Sequence, residues 1–420
     1  MGPAGSGGEA ATRGAAVCPA GYTRKLQSCA IPCCVPDAGT NGTCCQLGRR
    51  PGPHPNGTLA VPTDVQLAWQ DFEVGALNSF QMVTFWGGQL SADRPFNLSR
   101  PEEFTAQDLD TDQWAEAVVA MGAKYQVLNV KDESGFLLWP TQCKYSNGTV
   151  CACPLPPPTA TESFASTSLP HLDRSDPYTV ASSPHAAKNG DLLQRFTASN
   201  KKRGIRSGIY YLGWGNFFMN ITNSGGTYDC SVDTPQTREF VDMQLCQLEE
   251  LYSQYDFSEI WFDGGAPCLP AYGKPQPVET AEGVMTSGGL AAEDAIANLT
   301  AFYQGKRAVA FQGPKTYPND IRWVGTEAGV APYDCWSATQ DSQAYGAGLR
   351  NGEVWAPAES DTCIRTASCC APGGEPADSG SSGCWVWYPN TTSSVKPLST
   401  LKDSYLKTVG RNANFLLNIR

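Results

Sequence analysis

The stretch "REFVDMQLCQLEELYSQYDFSEIWFDGG", residues 238–265, contains a helix pattern, a strand pattern and an acidic residue at the strand end. Residues 238–255 carry apolar side chains at helical spacing, and residues 258–262 are a short apolar run typical of a buried strand. Asp263 comes directly after that run, before two glycines. The stretch predicts one helix–strand unit that ends in a carboxylate, although an Asp beside two glycines is also an ordinary turn residue.

The same alternation of helix and strand patterns recurs along most of the chain. We predict helices at 66–77, 111–123, 189–204, 292–305 and 401–410, and strands at 80–86, 124–130, 205–212, 307–313 and 412–419. Seven or eight strands separated by helices favour a (β/α)8-like TIM barrel over an open doubly wound sheet. No G-x-G-x-x-G, P-loop or G-x-S-x-G motif is present. In such a barrel, functional side chains lie at the C-terminal strand ends, where Asp263 would be.

Three segments are predicted from shifts in composition. Residues 1–16 are rich in Gly and Ala and are predicted to be a disordered tail. Residues 17–60 form a small Cys-rich segment that ends in a Pro/Gly linker, and residues 61–420 form the barrel. Two insertions, 153–166 and 369–384, have the composition of surface loops.

Cysteine usage points to an oxidising compartment. The chain has 17 Cys, and six of them lie between Cys18 and Cys45. This density predicts a disulfide framework whose pairing the sequence leaves open. A metal cluster is the competing interpretation, but three His in the whole chain disfavour it, and we expect no metal and no cofactor. The odd number leaves at least one thiol free or bridged to another chain.

Glycosylation motifs support the same compartment. Seven N-x-S/T motifs occur, at Asn41, Asn56, Asn97, Asn147, Asn220, Asn298 and Asn390. No signal peptide and no apolar run long enough for a membrane helix is visible, so we expect a secreted, cell-wall or lumenal protein whose signal peptide is absent from this sequence. A net charge of −11 argues against nucleic acid as a partner.

Several further carboxylates are candidates because cleavage of a glycosidic bond requires two acidic groups. Glu327 follows the strand-like "IRWVG", and Glu359 lies in "VWAPAESD" in a similar setting. Asp132 and Glu133 follow the predicted strand 124–130. Each of these residues is also compatible with a solvated turn.

A series of motifs resembles one known family. "MGAKYQVLNVKDESGFLLWPTQ" (121–142), "RGIRSGIYYLGW" (203–214), "DIRWVGTEAG" (320–329) and "VGRNANFLLNI" (409–419) are similar, in the same order, to motifs of the family 29 glycoside hydrolases, the α-L-fucosidases. "CWS" (335–337) and "WAPAESDTCIR" (355–365) extend the resemblance, which covers residues 64–419. It is strongest to the plant and bacterial branch.

The resemblance implies a retaining glycosidase that removes terminal α-L-fucosyl, or a related sugar, from glycans or glycoproteins. Asp263 matches the family nucleophile and Glu327 the general acid/base. Trp261 and Tyr211 match positions close to the sugar. Trp336, Glu359, Asp132 and Glu133 fall in matching motifs, and we expect them to contact substrate.

The sequence departs from the family pattern in the sugar pocket. The family's "K-H-H-D-G-F" is "K-D-E-S-G-F" here, so Asp132 and Glu133 replace two sugar-binding His, and Ser79 or a neighbour replaces a third. Carboxylates added near Asp263 oppose its ionisation. The alternative hypothesis is therefore a catalytically impaired fucosidase-like carbohydrate-binding or cell-surface protein.

Overall fold

The structure is a computed structural model in two compact units, Met1–Thr58 and Leu59–Arg420. It describes residues 22–25, 33–36, 59–86, 101–143, 178–213, 215–216, 221–222, 228–229, 235–263, 278–280, 283–285, 308–313, 319–340, 345–366, 385–387 and 392–419. In the first unit, Tyr22–Lys25 and Cys33–Pro36 pair as antiparallel strands. The three predicted segments stay a prediction.

The second unit is a closed barrel of eight strands, which confirms the predicted fold. Every neighbouring pair is parallel, and each strand pairs with the strands before and after it along the chain, the last closing on the first. The strands are β1 (Val74–Asn78), β2 (Tyr125–Lys131), β3 (Arg206–Leu212), β4 (Glu259–Asp263), β5 (Val309–Phe311), β6 (Asp320–Trp323), β7 (Ala358–Cys363) and β8 (Ala413–Ile419).

The described helices surround this barrel. They are α1 (Asp64–Gln70), α2 (Thr111–Ala120), α3 (Pro184–Asn189), α4 (Leu192–Lys202), α5 (Pro235–Gln254) and α6 (Leu398–Thr408). Side-chain caps fix three of the starts: Thr63 forms a capping box with Gln66, Asp110 caps α2 and Asp191 caps α4. Such caps satisfy backbone N–H groups that the helix itself leaves unpaired.

Short strand pairs and 3-10 turns complete the unit. The pairs are Ile221–Thr222 with Tyr228–Asp229, Val278–Thr280 with Gly283–Met285, and Ala338–Thr339 with Val354–Trp355. The 3-10 turns are Met82–Trp86, Pro101–Glu103, Val180–Ser182, Thr392–Ser394 and Val409–Arg411.

The first predicted helix and strand were wrong in their positions. The sequence pattern placed a helix over 66–77 and a strand at 80–86, whereas the helix ends at Gln70 and the strand is Val74–Asn78. Glu73 has a φ of 57°, which turns the chain out of the helix before β1 begins. Met82–Trp86 is a 3-10 turn that follows the C-terminal end of β1. The apolar residues there pack as a cluster of rings around Phe80 and Phe104 instead of forming a strand.

The interior and exterior of the barrel have separate cores. Inward side chains such as Leu77, Val127 and Phe311 pack with one another and with Trp69 of α1, which lies at the N-terminal end of the strands. Outward side chains such as Ile209 and Ile260 pack with the surrounding helices. Side chains alternate along each strand between the barrel interior and the surrounding helices. An interior side chain at the C-terminal end of a strand therefore lies at the open C-terminal end of the barrel, its mouth.

A disulfide and one carboxylate tie the loop after β2 to α5. Cys143 is bridged to Cys246. Next to the bridge, Glu250 accepts hydrogen bonds from the Trp139 indole (2.8 Å), the Thr141 hydroxyl (2.6 Å) and the Gln142 backbone N–H (2.6 Å). This loop begins at Asp132 and Glu133, so the tie restrains the chain that carries two candidate residues.

Several predictions fall outside the described residues. They are the helix at 292–305, the insertions at 153–166 and 369–384, the seven glycosylation motifs and the pairing of the six cysteines between Cys18 and Cys45. In the part of the chain that is described, none of the helices has the length and apolar character needed to cross a bilayer.

Candidate active site

Asp263 is the last residue of β4 and points into the barrel mouth. The inward residues of this strand are Glu259, Trp261 and Asp263, because Ile260 and Phe262 pack outward against the helices. The hydroxyl of Tyr210, on neighbouring β3, donates a hydrogen bond of 2.5 Å to Oδ2 of Asp263. This contact fixes the rotation of the carboxylate at the point where the strand ends.

A stack of aromatic rings supports this carboxylate from below. Tyr210 stacks on Trp261 with ring centroids 5.5 Å apart, and Trp261 stacks on Phe311 at 3.8 Å. The Trp261 indole donates to Glu359 at 2.7 Å. Trp261 is 7% exposed, so it forms the layer immediately beneath Asp263. Its predicted contact with the sugar stays a prediction.

Glu327 lies in the loop after β6 and faces Asp263. Gly325 and Gly329 bracket it with φ angles of +86° and +68°, a backbone that favours glycine. A Cβ on Gly329 would also meet the Thr362 side chain at 2.7 Å. Burial, together with the charge of Asp263, raises the pKa of Glu327 to about 7. The two carboxylates are therefore close enough to interact electrostatically, as a cooperating pair of acids requires.

Trp385 holds Glu327 and was not recognised from the sequence. Its indole donates to Oε2 of Glu327 at 3.3 Å, and its carbonyl accepts a hydrogen bond of 2.9 Å from the amide of Asn418 on β8. The same Asn418 amide donates to the hydroxyl of Ser79 at 3.1 Å. Trp385 directly follows the insertion 369–384, and no local pattern marks it as part of the barrel mouth.

Asp132 and Glu133 lie at the end of β2, on the Asp263 side of the mouth. Asp132 is buried, and its Oδ1 accepts the backbone N–H of Ser134 at 2.9 Å and the Ser134 hydroxyl. Burial and the charges of Asp132 and Asp263 raise the pKa of Glu133 to about 7. Glu133 is therefore near Asp263, while its predicted contact with substrate stays a prediction.

The placement of Tyr211 is a correction. Its side chain points outward, where the hydroxyl donates to Gln247 of α5 at 2.6 Å. Because consecutive residues of a strand point to opposite faces, the neighbouring Tyr210 takes the inward position. The predicted position of Tyr211 close to the sugar is therefore wrong, and Tyr210 is the tyrosine of this strand that lies at the mouth.

Glu359 is a second correction. It was predicted to follow a strand, at the mouth, but it is the second residue of β7 and lies fully buried at the opposite end of the barrel interior. It accepts from the hydroxyl of Tyr125 at 2.5 Å as well as from Trp261, and it lies beside Glu259, which accepts from the Trp69 indole at 3.0 Å. Polar inward residues in "AESDTC" concealed this strand. No substrate can reach Glu359 without opening the barrel.

Trp336 is a third correction. In β6, Ile321 and Trp323 face the interior, so Arg322 between them points outward. Arg322 donates to the carbonyl of Trp336 at 2.5 Å, which places that residue outside the barrel wall. The Trp336 ring is 39% exposed beneath the guanidinium of Arg350. Its part in the fold is to anchor the segment after β6.

No metal site is visible in the described part of the chain, where no three His, Cys, Asp or Glu side chains converge as metal ligands. The mouth instead contains carboxylates, a phenol and an indole at hydrogen-bonding range of one another. Two half-buried acids that interact electrostatically are the groups needed to cleave an acetal.

Comparisons with known proteins give similarity to α-L-fucosidases. The family model described as alpha-L-fucosidase matches residues 66–151. Alpha-L-fucosidase 1 of Arabidopsis thaliana is 27% identical over 387 residues, which are 87% of this chain and 57% of that protein. This chain is similar to α-L-fucosidases over most of its length. Tissue alpha-L-fucosidase of Mus musculus is 26% identical over 49% of this chain and 35% of its own length.

Solved structures share the fold. A glycoside hydrolase 29 family member from an unknown rumen bacterium superposes with a TM-score of 0.57 at 23% identity, over 86% of this chain and 53% of that one. A GH29 fucosidase from Ruminococcus gnavus in complex with fucose gives 0.57 at 18% identity, over 86% and 63%. The chain spans little more than half the length of the Arabidopsis member of the family.

Proposed function

We propose that the protein is a retaining glycoside hydrolase of the α-L-fucosidase type, which releases a terminal α-L-fucosyl or related sugar from glycans or glycoproteins. The observation that carries this proposal is the pairing of Asp263 and Glu327 at the mouth of one barrel, where the charge of the first raises the pKa of the second. Retaining enzymes of this class place two carboxylates about 5–5.5 Å apart.

In the proposed first step, Asp263 attacks the anomeric carbon as a nucleophile. Glu327 is protonated at the start, because burial and the negative charge of Asp263 raise its pKa to about 7. It transfers this proton to the glycosidic oxygen, so the leaving group departs as a neutral alcohol. The products of the step are a covalent glycosyl ester on Asp263 and a Glu327 carboxylate.

The second step reverses the roles. The ester on Asp263 carries no charge, so one of the two causes that raised the pKa of Glu327 is removed, burial being the other, and its carboxylate is easier to form. It removes a proton from water, and the resulting hydroxide equivalent attacks the anomeric carbon from the side that the leaving group occupied. Asp263 is expelled as the carboxylate, and the sugar is released with its original anomeric configuration.

Tyr210 and Trp385 are proposed to hold the pair in position. Tyr210 donates to Asp263 and Trp385 donates to Glu327, each through one side-chain hydrogen bond. These hydrogen bonds limit the rotation of the two carboxyl groups. The alternative of a fucosidase-like carbohydrate-binding protein without turnover is not favoured, because the named relatives are fucosidases.

The test is hydrolysis of 4-nitrophenyl α-L-fucoside beside a panel of other 4-nitrophenyl glycosides. We expect turnover of the fucoside that Asp263→Asn lowers by about 10⁴-fold or more, because an amide is a poor nucleophile. Asp256→Asn is the matched control, since Asp256 has an 82% exposed side chain and its ion pair with Arg206 is 3.5 Å long. Turnover of no glycoside, or equal turnover by both variants, would contradict the proposal.

We also propose that the protein passes through the secretory route to a secreted, cell-wall or lumenal destination. The seven N-x-S/T motifs, the cysteine content and the Cys143–Cys246 disulfide support this proposal. Mass spectrometry of the protein made in eukaryotic cells, before and after an endoglycosidase, should show N-linked glycans on these asparagines. Unmodified asparagines and reduced cysteines would contradict it.

A further inference from the structure

The barrel mouth contains more negative charge than the proposed mechanism uses. Asp132, Glu133 and Asp263 all raise the pKa of the Tyr210 hydroxyl, so three carboxylates surround one phenol. Glu327 interacts with Asp263 from the other side. The mechanism requires Asp263 and Glu327, and it assigns no step to Asp132 or Glu133.

Asp132 has an oxygen atom without a partner. The residue is 6% exposed, and both hydrogen bonds from Ser134 go to Oδ1. Its Oδ2 is buried and has no hydrogen-bond partner among the described residues. The charge of this carboxylate acts on Glu133 and on Tyr210, which places it beside the mouth. A buried oxygen without a hydrogen-bond donor lowers the free energy of unfolding unless a donor or a positive charge binds to it.

Glu133 is the more accessible member of the pair. It is partly buried, and within the described residues it forms no hydrogen bond and no ion pair. Its carboxylate is repelled by Asp132 and by Asp263. A half-buried carboxylate that follows β2 and interacts with the proposed nucleophile is suited to contact a ligand bound there.

The one nearby ammonium group does not neutralise this charge at the mouth. Lys131 points to the outside of the strand, where its Nζ donates to the carbonyls of Leu212 and Gly215, each at 2.6 Å. The same ammonium lies 5.2 Å from the centre of the Tyr211 ring, on the helix side of the barrel. Its interaction with Asp132 and Glu133 is smaller than the effect of burial.

We propose that the mouth binds a glycoside whose sugar ring carries a protonated amino group, with Glu133 as the acceptor for that ammonium and Asp132 adding to the negative potential. An ammonium group offers three donors and a full positive charge, which match unpaired carboxylate oxygens. A metal ion is the poorer match, because the described side chains form no group of three metal ligands. This inference rests on the proposed glycosidase function and specifies its substrate class.

The proposal gives a pH signature that a neutral sugar lacks. The titratable groups that act on Glu133 or lie next to them are the adjacent Asp132, Lys131 at the end of β2, Tyr210 on β3 and Asp263 on β4, and Glu327 interacts with Asp263. Glu133 has a pKa of about 7, so it becomes charged as the pH rises from 6.0 to 7.5. Affinity for an ammonium ligand should rise over this interval by about eightfold, as the charged fraction of Glu133 does.

The test is calorimetric binding of methyl α-L-fucoside and of its three amino-deoxy counterparts, in which one hydroxyl at position 2, 3 or 4 is replaced by an amino group. At pH 7.5 we expect at least one amino ligand to bind about tenfold tighter than the fucoside, as a charge-assisted hydrogen bond warrants. This advantage should disappear in Glu133→Gln and persist in Glu102→Gln, a change at an exposed position. Asp132→Asn should reduce the tighter binding of the amino ligand only in part. Thermal unfolding of each variant checks that it is folded.

The outcomes separate this inference from the proposed function. If the fucoside is bound and hydrolysed but every amino ligand binds no tighter than it, the inference is wrong and the glycosidase proposal stands. An advantage that survives in Glu133→Gln, or that does not change between pH 6.0 and 7.5, contradicts the role of Glu133. If neither kind of sugar is bound or hydrolysed, both proposals fail.

Discussion

The mouth and the base of the same barrel both contain buried or half-buried carboxylates, and they differ in how those carboxylates are bonded. At the base, Glu359 accepts from Tyr125 and Trp261, and its neighbour Glu259 accepts from Trp69. At the mouth, Asp263 accepts a hydrogen bond from Tyr210, and Glu327 accepts one from Trp385.

This difference separates a structural acid from a reactive one. At the base of the barrel, indoles and a phenol enclose Glu259 and Glu359. Burial raises the pKa of Glu259 to about 8, and burial together with the charge of Glu259 raises the pKa of Glu359 well above its ordinary value. These groups stay protonated and fill the barrel. At the mouth, burial together with the charge of Asp263 raises the pKa of Glu327 to about 7, and the charge of Asp263 changes during the proposed reaction.

The largest effect on the mouth is expected from Glu327→Gln. Loss of a general acid lowers kcat for a poor leaving group by about 10²–10⁴-fold. In the wild type, activity should fall as the pH rises through about 7, because the raised pKa of Glu327 marks the point where its proton is lost. The variant should lack this alkaline limb in a pH–rate profile.

Glu133→Gln is the control for that pH dependence, since Glu133 has a similar pKa of about 7. If the alkaline limb disappears in Glu133→Gln and persists in Glu327→Gln, the roles of the two residues are assigned wrongly.

The base is expected to determine how stability depends on pH. The folded-state pKa values of Glu259 and Glu359 lie above their ordinary values, so the folded state binds more protons than the unfolded state. Stability should therefore be greatest at acidic pH and fall as the pH rises from the ordinary range of a carboxyl to about 8 and above. Chemical denaturation at pH 5.5 and 8.5 should differ by a few kcal/mol, roughly the size of one such shift.

Glu259→Gln should flatten this pH dependence without abolishing turnover, because Gln keeps the acceptor for Trp69 and cannot ionise. A wild-type protein that is equally stable at both pH values would show that the base acids are not held neutral, and the comparison between mouth and base would fail.

The smallest effect is expected from the two neighbouring tyrosines of β3. Tyr210→Phe removes the donor to Asp263 and should lower kcat by about tenfold with little change in KM, as loss of one hydrogen bond to a charged group predicts. Tyr211→Phe removes the bond to Gln247 on the helix side and should leave kcat unchanged while lowering the free energy of unfolding by about 1 kcal/mol. The reverse pattern would mean that β3 presents its other face to the mouth.

The barrel and its acidic strand end could be predicted from the sequence, but the facing of individual residues could not. Periodicity identified β4 and therefore the position of Asp263, because an apolar run is broken there by glycines. The pair Tyr210–Tyr211 offers no such contrast, since both residues are equally suited to either face of a strand. Register within the sheet decides between them.

The base and Trp385 could not be predicted for a different reason. β7 has the sequence "AESDTC", whose polar inward residues hide a fully buried strand, and their burial is stable because indoles and a phenol from other strands supply donors. Trp385 reaches Glu327 across 58 residues of chain. Contacts of this kind depend on the closed barrel and leave no local pattern in the sequence.

The most direct test of the account is to trap the covalent intermediate on Asp263. A 2-deoxy-2-fluoro-α-L-fucosyl fluoride has a good leaving group and a destabilised transition state for hydrolysis, so the ester forms faster than water removes it. Peptide mass spectrometry should then show one sugar attached at Asp263 in the wild type and none in Asp263→Asn. Attachment to Glu133 or to any other residue, or continued turnover without a trapped ester, would contradict the assignment of Asp263 as the nucleophile.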